Sequence, residues 1–137
     1  MGSLEGDDIA SSVPRRILVV DDNPDAAQAL ALLIGCEGHE VQTAYDGRSA
    51  LELAETFKPE LMLLDIGLPK LNGYEVARCV RERPWATRLT LVAISGWGEP
   101  EDKQRASGAG FAAYLVKPVD PAEVHAVING LSRAGHD

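Results

Sequence analysis

The chain is short of cysteine, histidine and positive charge, and it has no long apolar run. Its two cysteines, Cys36 and Cys79, each stand alone within a helical pattern, so neither has the spacing of a zinc or redox motif. Free cysteine packs as a small apolar residue, so the expectation is two buried, reduced thiols in a cytoplasmic protein. The three histidines, His39, His125 and His136, are scattered without partner spacing. That excludes a histidine-type metal cluster or a histidine phosphorelay motif, and it places them on the surface. Lys and Arg number 13 against 21 Asp and Glu, a formal charge of −8. There is no basic stripe or arginine-rich helix, so no nucleic-acid partner is expected; solubility accounts for most of the acidity. No apolar run nears the roughly 20 residues that cross a bilayer, and no membrane contact is expected. The start, MGSLEGDDIASS, lacks the basic and apolar regions of a secretory signal.

What remains is the composition of one globular domain: 137 residues, 45% apolar and 25% charged. Residues 1–14 are small and polar and read as a flexible leader, with a domain over 15–133 and a tail at 134–137. Short apolar runs stand at 17–20, 41–44, 61–64, 89–95 and 112–116, most of them aliphatic or β-branched and flanked by turn or polar residues. They read as strands, and 17–20 and 61–64 are continuous enough to be covered on both faces. Between them Ala27, Leu30, Ala31 and Ile34 recur at helical spacing, as do Ala50, Leu53, Ala54 and Phe57, and Val124, Val127, Ile128 and Leu131. Val76, Ala77 and Val80 make a shorter stripe. Pro24 and Pro121 suit first helical turns, and Gly35, Gly38 and Gly130 suit helix ends. Segment 99–107 is a helix by position but has almost nothing to bury, so it is weakly anchored. Five strands alternating with five helices, without internal repeat, imply an α/β fold: a parallel sheet with helices on both faces.

In such a fold the ligand site lies beyond the carboxyl ends of the strands. Strand one ends in Asp21-Asp22, strand three in Asp65, strand four in Ser95 and strand five in Lys117. Three carboxylates, a hydroxyl and an ammonium therefore converge on one edge. Crowded carboxylates repel one another and lose hydration, a conflict that a hard divalent cation removes. Mg²⁺ favours such oxygen ligands, together with phosphate oxygens and water. An Asp at a strand–helix junction is often only a cap, but the whole set in register with the strand ends is not explained that way.

The runs ILVVDDNPD, LMLLDIGLPKLNGYEVAR, LVAISG and AAYLVKPVD resemble the receiver domain of bacterial response regulators, over about residues 15–133. The resemblance implies a doubly wound, flavodoxin-like sheet of order 2-1-3-4-5 and a phosphoacceptor role for Asp65. By the same resemblance, Asp21 and Asp22 hold Mg²⁺, Asp22 more directly, with Asp65 itself and the backbone carbonyl of Gly67. Lys117 contacts the phosphoryl group, and Ser95 hydrogen-bonds it after transfer. Tyr114 turns inward as Ser95 moves, and Lys117-Pro118 is cis. The implied partner is a histidine kinase or a phosphotransfer domain, and the implied output is a changed surface over residues 95–116. The wording of DIGLPKLNGYEVAR and of SGWGEPEDKQRASGAGFAAYLVKPVD is similar to receivers fused to hybrid sensor histidine kinases, with a stand-alone regulator as the other context. No output domain is expected beyond residue 133.

Around the acceptor, Trp97 is either a packing residue or a shield against attacking water, and Gly67 offers no side chain to orient that water. Both favour a long-lived aspartyl phosphate. Gly96 leaves the approach to Asp65 open and is also an ordinary turn glycine; Trp85 is a packing residue or a small contact patch. Two other classes compete. A Mg²⁺-dependent phosphatase with an aspartate nucleophile needs a second carboxylate two residues on, where this chain has Gly67, and a cap domain for which there is no room. A phosphorylation-independent binding module would leave the complete residue set without a use. The chain is therefore expected to be a signalling phosphoacceptor that assists its own phosphorylation, rather than an enzyme acting on other molecules.

Overall fold

The computed structural model describes residues 14–68, 71–96, 104, 106 and 108–134. Its elements are β1 (Arg16–Val20), α1 (Pro24–Gly35), β2 (Glu40–Ala44), α2 (Gly47–Phe57), β3 (Leu61–Asp65), α3 (Gly73–Arg81), a 3₁₀ turn (Pro84–Arg88), β4 (Thr90–Ser95), β5 (Ala113–Val116) and α4 (Pro121–Ala134). All strand pairings are parallel, in the order β2-β1-β3-β4-β5. That is the doubly wound, flavodoxin-like order.

The continuous apolar run of β3 follows from its place in the middle of the sheet. Successive side chains leave a strand on opposite faces, so a strand covered on both sides cannot alternate with polar residues. Leu61 and Leu63 join Ile17, Val19, Val92 and Ile94 in a core closed by Ala27 and Ile34 of α1 and Val124, Ile128 and Leu131 of α4. Met62 and Leu64 join Leu18, Val20, Leu91 and Ala93 in a second core under Ala50, Ala54 and Phe57 of α2 and Val76, Ala77 and Val80 of α3. Leu61, Met62, Leu63 and Leu64 are all fully buried, each contributing about 1.5–3 kcal/mol relative to exposure. A charged residue at any of them would break the fold.

The helices α1, α2 and α3, which start near the carboxyl edge of the sheet, are each fixed by a side-chain cap. The Asn23 side chain accepts from the Asp25 and Ala26 N–H groups, and Asp46 accepts from Ser49 N–H at 2.7 Å. Asn72 and Glu75 form a reciprocal capping box, with bonds of 3.1 and 3.0 Å. Such caps are worth about 0.5–2 kcal/mol apiece. They also set where each strand–helix turn lies, which matters because the turns carry the polar residues of the site.

Several expectations need correction. Cys36 is exposed and Cys79 half-buried. Cys36 is the C-cap of α1, two residues past the buried Ile34 and about 200° round the helix from it. His39 is buried rather than superficial, because its Nδ1 accepts the Arg15 N–H at 3.0 Å across a separation of 24 residues. Of the three glycines assigned to helix ends, Gly35 is the last residue of α1 and Gly38 follows it with a positive φ, whereas Gly130 lies inside α4. Trp85 packs against the α2/α3 core and its Nε1–H donates to Glu55 Oε1 at 3.3 Å. His125 is exposed as expected. Most of segment 99–107, with Trp97, His136 and most of the 1–14 leader, lies outside the described residues; Gln104, Ala106 and Gly108 are helical.

Candidate functional site

The parallel sheet brings four strand ends to one edge. Asp21 follows β1 directly, Asp65 ends β3, Ser95 ends β4, and Lys117 follows β5. Asp21, Asp65 and Ser95 are buried, at 6, 5 and 2% exposure, while Asp22 is exposed. One carboxylate oxygen from each of Asp21, Asp22 and Asp65 can be chosen so that the three lie within 4.8 Å of one another. A cleft of about 310 Å³ opens over Asp65, bordered by Gly67, Tyr74, Ser95, Gly96 and Lys117.

Local bonds fix the two buried carboxylates. Asp65 Oδ1 accepts the Gly67 N–H at 2.7 Å, and Asp21 Oδ1 accepts the Asn23 N–H at 2.9 Å. Their second oxygens share one cation: Lys117 Nζ stands 2.9 Å from Asp65 Oδ2 and 3.1 Å from Asp21 Oδ2. Partial burial pulls the Lys117 ammonium down. Hydrogen bonds and Coulomb attraction from Asp65 and Asp21 outweigh that and hold it above the ordinary lysine range. Lys117 N–H also donates to the Ser95 carbonyl at 2.8 Å, tying the ends of β4 and β5 together. The Lys117-Pro118 peptide is cis.

One ammonium bridges two of the three clustered carboxylates, so the cluster carries excess negative charge in a partly dry cleft. All the side-chain donors are hard oxygens, a set that suits Mg²⁺, Ca²⁺ or Mn²⁺ better than copper or a structural zinc. With a divalent cation in place, the cleft could hold a phosphoryl group against Asp65, flanked by the Ser95 hydroxyl and the Lys117 ammonium. Tyr114 does not border the cleft. It sits on β5 opposite Ala93 and packs partly buried against the α2/α3 core. Tyr74, which the sequence reading passed over, borders the cleft from the first turn of α3 and meets Phe111 edge-on at 6.2 Å between ring centres. Its signal was its place: the helix after β3 must begin at the carboxyl edge.

The profile of the response regulator receiver domain matches residues 17–129. The chain belongs to this family. Receiver domains work with histidine kinases or phosphotransfer proteins in two-component signalling. Among similar proteins, an uncharacterized 14.6 kDa protein of Leptolyngbya boryana is 40% identical over 108 residues, covering 79% of this chain and 82% of that one. The alkaline phosphatase synthesis transcriptional regulatory protein PhoP of Bacillus subtilis is 36% identical over 87% of this chain, which spans 49% of PhoP. The chain spans only 13% of the gliding motility regulatory protein of Myxococcus xanthus. Among solved structures, a putative response regulator from Chloroflexus aurantiacus superposes with a TM-score of 0.81 at 29% identity, covering 88% of this chain and 99% of that one. The receiver domain of sensor histidine kinase PA1611 of Pseudomonas aeruginosa, with magnesium coordinated in its active site cleft, gives 0.79 at 27% identity, covering 88% and 99%. No helix among the described residues of this receiver domain is long and apolar enough to cross a membrane.

Proposed function

We propose that this receiver domain accepts one phosphoryl group on Asp65 from a histidine kinase or a phosphotransfer domain, with Mg²⁺ bound by Asp21, Asp22, Asp65 and the Gly67 carbonyl. The observation that carries the reading is the position of Asp65: a buried carboxylate in a cleft, 2.9 Å from an ammonium and with two more carboxylates beside it.

An Asp65 oxygen attacks phosphorus in line as the bond from phosphorus to the donor nitrogen breaks. The electron pair of that bond leaves with the imidazole, which takes up a proton. Bound Mg²⁺ would neutralise part of the charge on the phosphoryl oxygens. Lys117 stands ready to swing from Asp65 Oδ2 to those oxygens, so most of the catalysis is positioning and electrostatics. The Ser95 hydroxyl then donates to a phosphoryl oxygen. Because the Ser95 carbonyl holds Lys117 N–H at 2.8 Å, movement of Ser95 pulls on β5, and Tyr114 and the surface over 95–116 respond. A groove of about 590 Å³ between α1 and the segment after β5 runs from Asp21 and Lys117 along Ala29, Leu30, Leu33 and Val119. Its mostly apolar lining, ending at Asp21 and Lys117, supports docking of the phosphoryl donor on this face.

The test is incubation with acetyl phosphate and Mg²⁺, followed by intact mass. One phosphoryl group is expected on the wild type and none on Asp65→Asn. Equal labelling of the mutant, or sustained release of phosphate from a phosphomonoester, would sink the reading. Unchanged amide shifts over 95–116 with a phosphoryl mimic would sink the switch.

A further inference from the structure

We infer that Gly47, the first residue of α2, is a positioning residue for the Asp65 turn, acting through the start of α3. The inference rests on the phosphoacceptor reading above and concerns a residue that touches none of the site groups.

Two backbone-to-backbone contacts stacked on each other carry it. A Cβ at Gly73, the first residue of α3, would lie 2.5 Å from Ile66 Cα and 2.7 Å from the Asp65 carbonyl oxygen. Gly73 N–H also donates to the Ile66 carbonyl at 3.4 Å. The first turn of α3 thus rests directly on the backbone of Asp65 and Ile66. A Cβ at Gly47 would lie 2.6 Å from the Leu71 carbonyl oxygen, 3.0 Å from Leu71 Cβ and 2.9 Å from Val76 Cγ2. The first turn of α2 therefore rests on the start of α3 in the same way. Both glycines are buried. Carbonyl oxygens and Cα atoms cannot rotate aside as side-chain tips can, so a methyl at either place must move a helix start. At Gly47 the part displaced is α3, and the next backbone in line is that of Asp65. Gly67, whose N–H fixes Asp65 Oδ1 at 2.7 Å, moves with it.

The two ends of the stack should differ in degree but not in kind. Metal ligands held by outer partners typically lose about 10–100-fold in affinity when a partner is disturbed, and an error of about 1 Å in a reacting group is costly. Gly130, inside α4 with nothing within 4 Å of its Cβ position, is the control.

The experiment uses the full chain with Gly73→Ala, Gly47→Ala and Gly130→Ala, at a temperature where urea curves show each folded. Mg²⁺ affinity is measured by calorimetry, the Ile66 and Gly67 amide shifts by NMR without metal, and the initial rate of labelling by acetyl phosphate. Mg²⁺ binding is expected to weaken about tenfold in Gly73→Ala and about threefold in Gly47→Ala, with labelling slowed in the same order and both amides shifted. Gly130→Ala should match the wild type in all three. A Gly47→Ala protein that is less stable but keeps wild-type Mg²⁺ affinity and Gly67 shift overturns the inference, leaving a packing role only. If Gly47→Ala does not fold, it is combined with Val76→Ala, which removes the Cγ2 atom 2.9 Å from the added methyl and leaves the Leu71 carbonyl in its path, and wild-type Mg²⁺ affinity and Gly67 shift in that double variant overturn the inference. Absence of labelling in the wild type would remove the phosphoacceptor reading, while Mg²⁺ affinity and the amide shifts would still decide this one.

Discussion

The two edges of the sheet both bury charged or titratable groups, yet they treat them in opposite ways. At the amino edge Arg15 Nη1 meets Glu60 Oε1 at 2.7 Å, and His39 Nδ1 accepts the Arg15 N–H at 3.0 Å. Cation and anion balance, and the buried imidazole is used as a neutral acceptor. At the carboxyl edge three carboxylates cluster and a single ammonium bridges two of them. The amino edge pairs its cation with an anion, although the buried Arg15 Nε has no hydrogen-bond partner among the described residues, whereas the carboxyl edge is left short of positive charge, a deficit that a divalent cation would fill. Burial of charge is common to both edges; charge imbalance is what sets the candidate site apart.

The comparison can be broken by equivalent substitutions at the two edges. The largest effect expected is on chemistry. Asp65→Asn should abolish labelling by acetyl phosphate while leaving stability unchanged or raised by about 1 kcal/mol, because it relieves like-charge crowding; urea unfolding beside intact mass measures both. A strongly destabilised Asp65→Asn would mean that the fold needs the Asp65 carboxylate as it needs that of Glu60. Glu60→Gln should do the reverse. It leaves Arg15, whose side chain is only 14% exposed, without its counter-charge, and should cost about 1–3 kcal/mol in urea unfolding with labelling intact.

Mg²⁺ separates the edges next. At ten times its Kd, Mg²⁺ should stabilise the wild type by about 1.4 kcal/mol. Asp21→Asn should lose most of that gain and Glu60→Gln none, and thermal unfolding with and without a chelator reads the difference. The smallest effect belongs to His39. Burial, the largest influence, lowers its pKa from the ordinary value; Arg15 lowers it further, and Glu37 and Glu60 pull it partly back. The unfolded chain thus binds this proton first. The stability contributed by neutral His39 is fully present above about pH 6.5 and is lost as pH falls toward the lower folded-state pKa, by at most about 1.4 kcal/mol per pH unit. His39→Asn should flatten that part of the pH–stability curve, and an unchanged slope would remove His39 from the account.

Which parts of this were legible beforehand follows from the range of the interactions involved. Asp21, Asp65, Ser95 and Lys117 could be read because each follows an apolar run, and parallel strands put all their carboxyl ends on one edge. His39 and Cys36 were misplaced because their surroundings are set by residues distant in the chain, or by where a helix stops covering the sheet. Tyr74 was overlooked because its position depends on the direction in which α3 leaves β3.

The sequence by itself determined the alternation of strands and helices, the two-sided burial of β1 and β3, and the edge on which the acidic and basic groups would meet. These depend on periodicity and chain direction, which are local properties. Only the tertiary structure decided that Lys117 bridges Asp65 and Asp21, that Arg15 meets Glu60 and His39 at the opposite edge, and that Gly47 and Gly73 are pressed against backbone. Those facts rest on contacts between segments tens of residues apart, where a few tenths of an ångström separate a fit from a clash, and no local pattern records them.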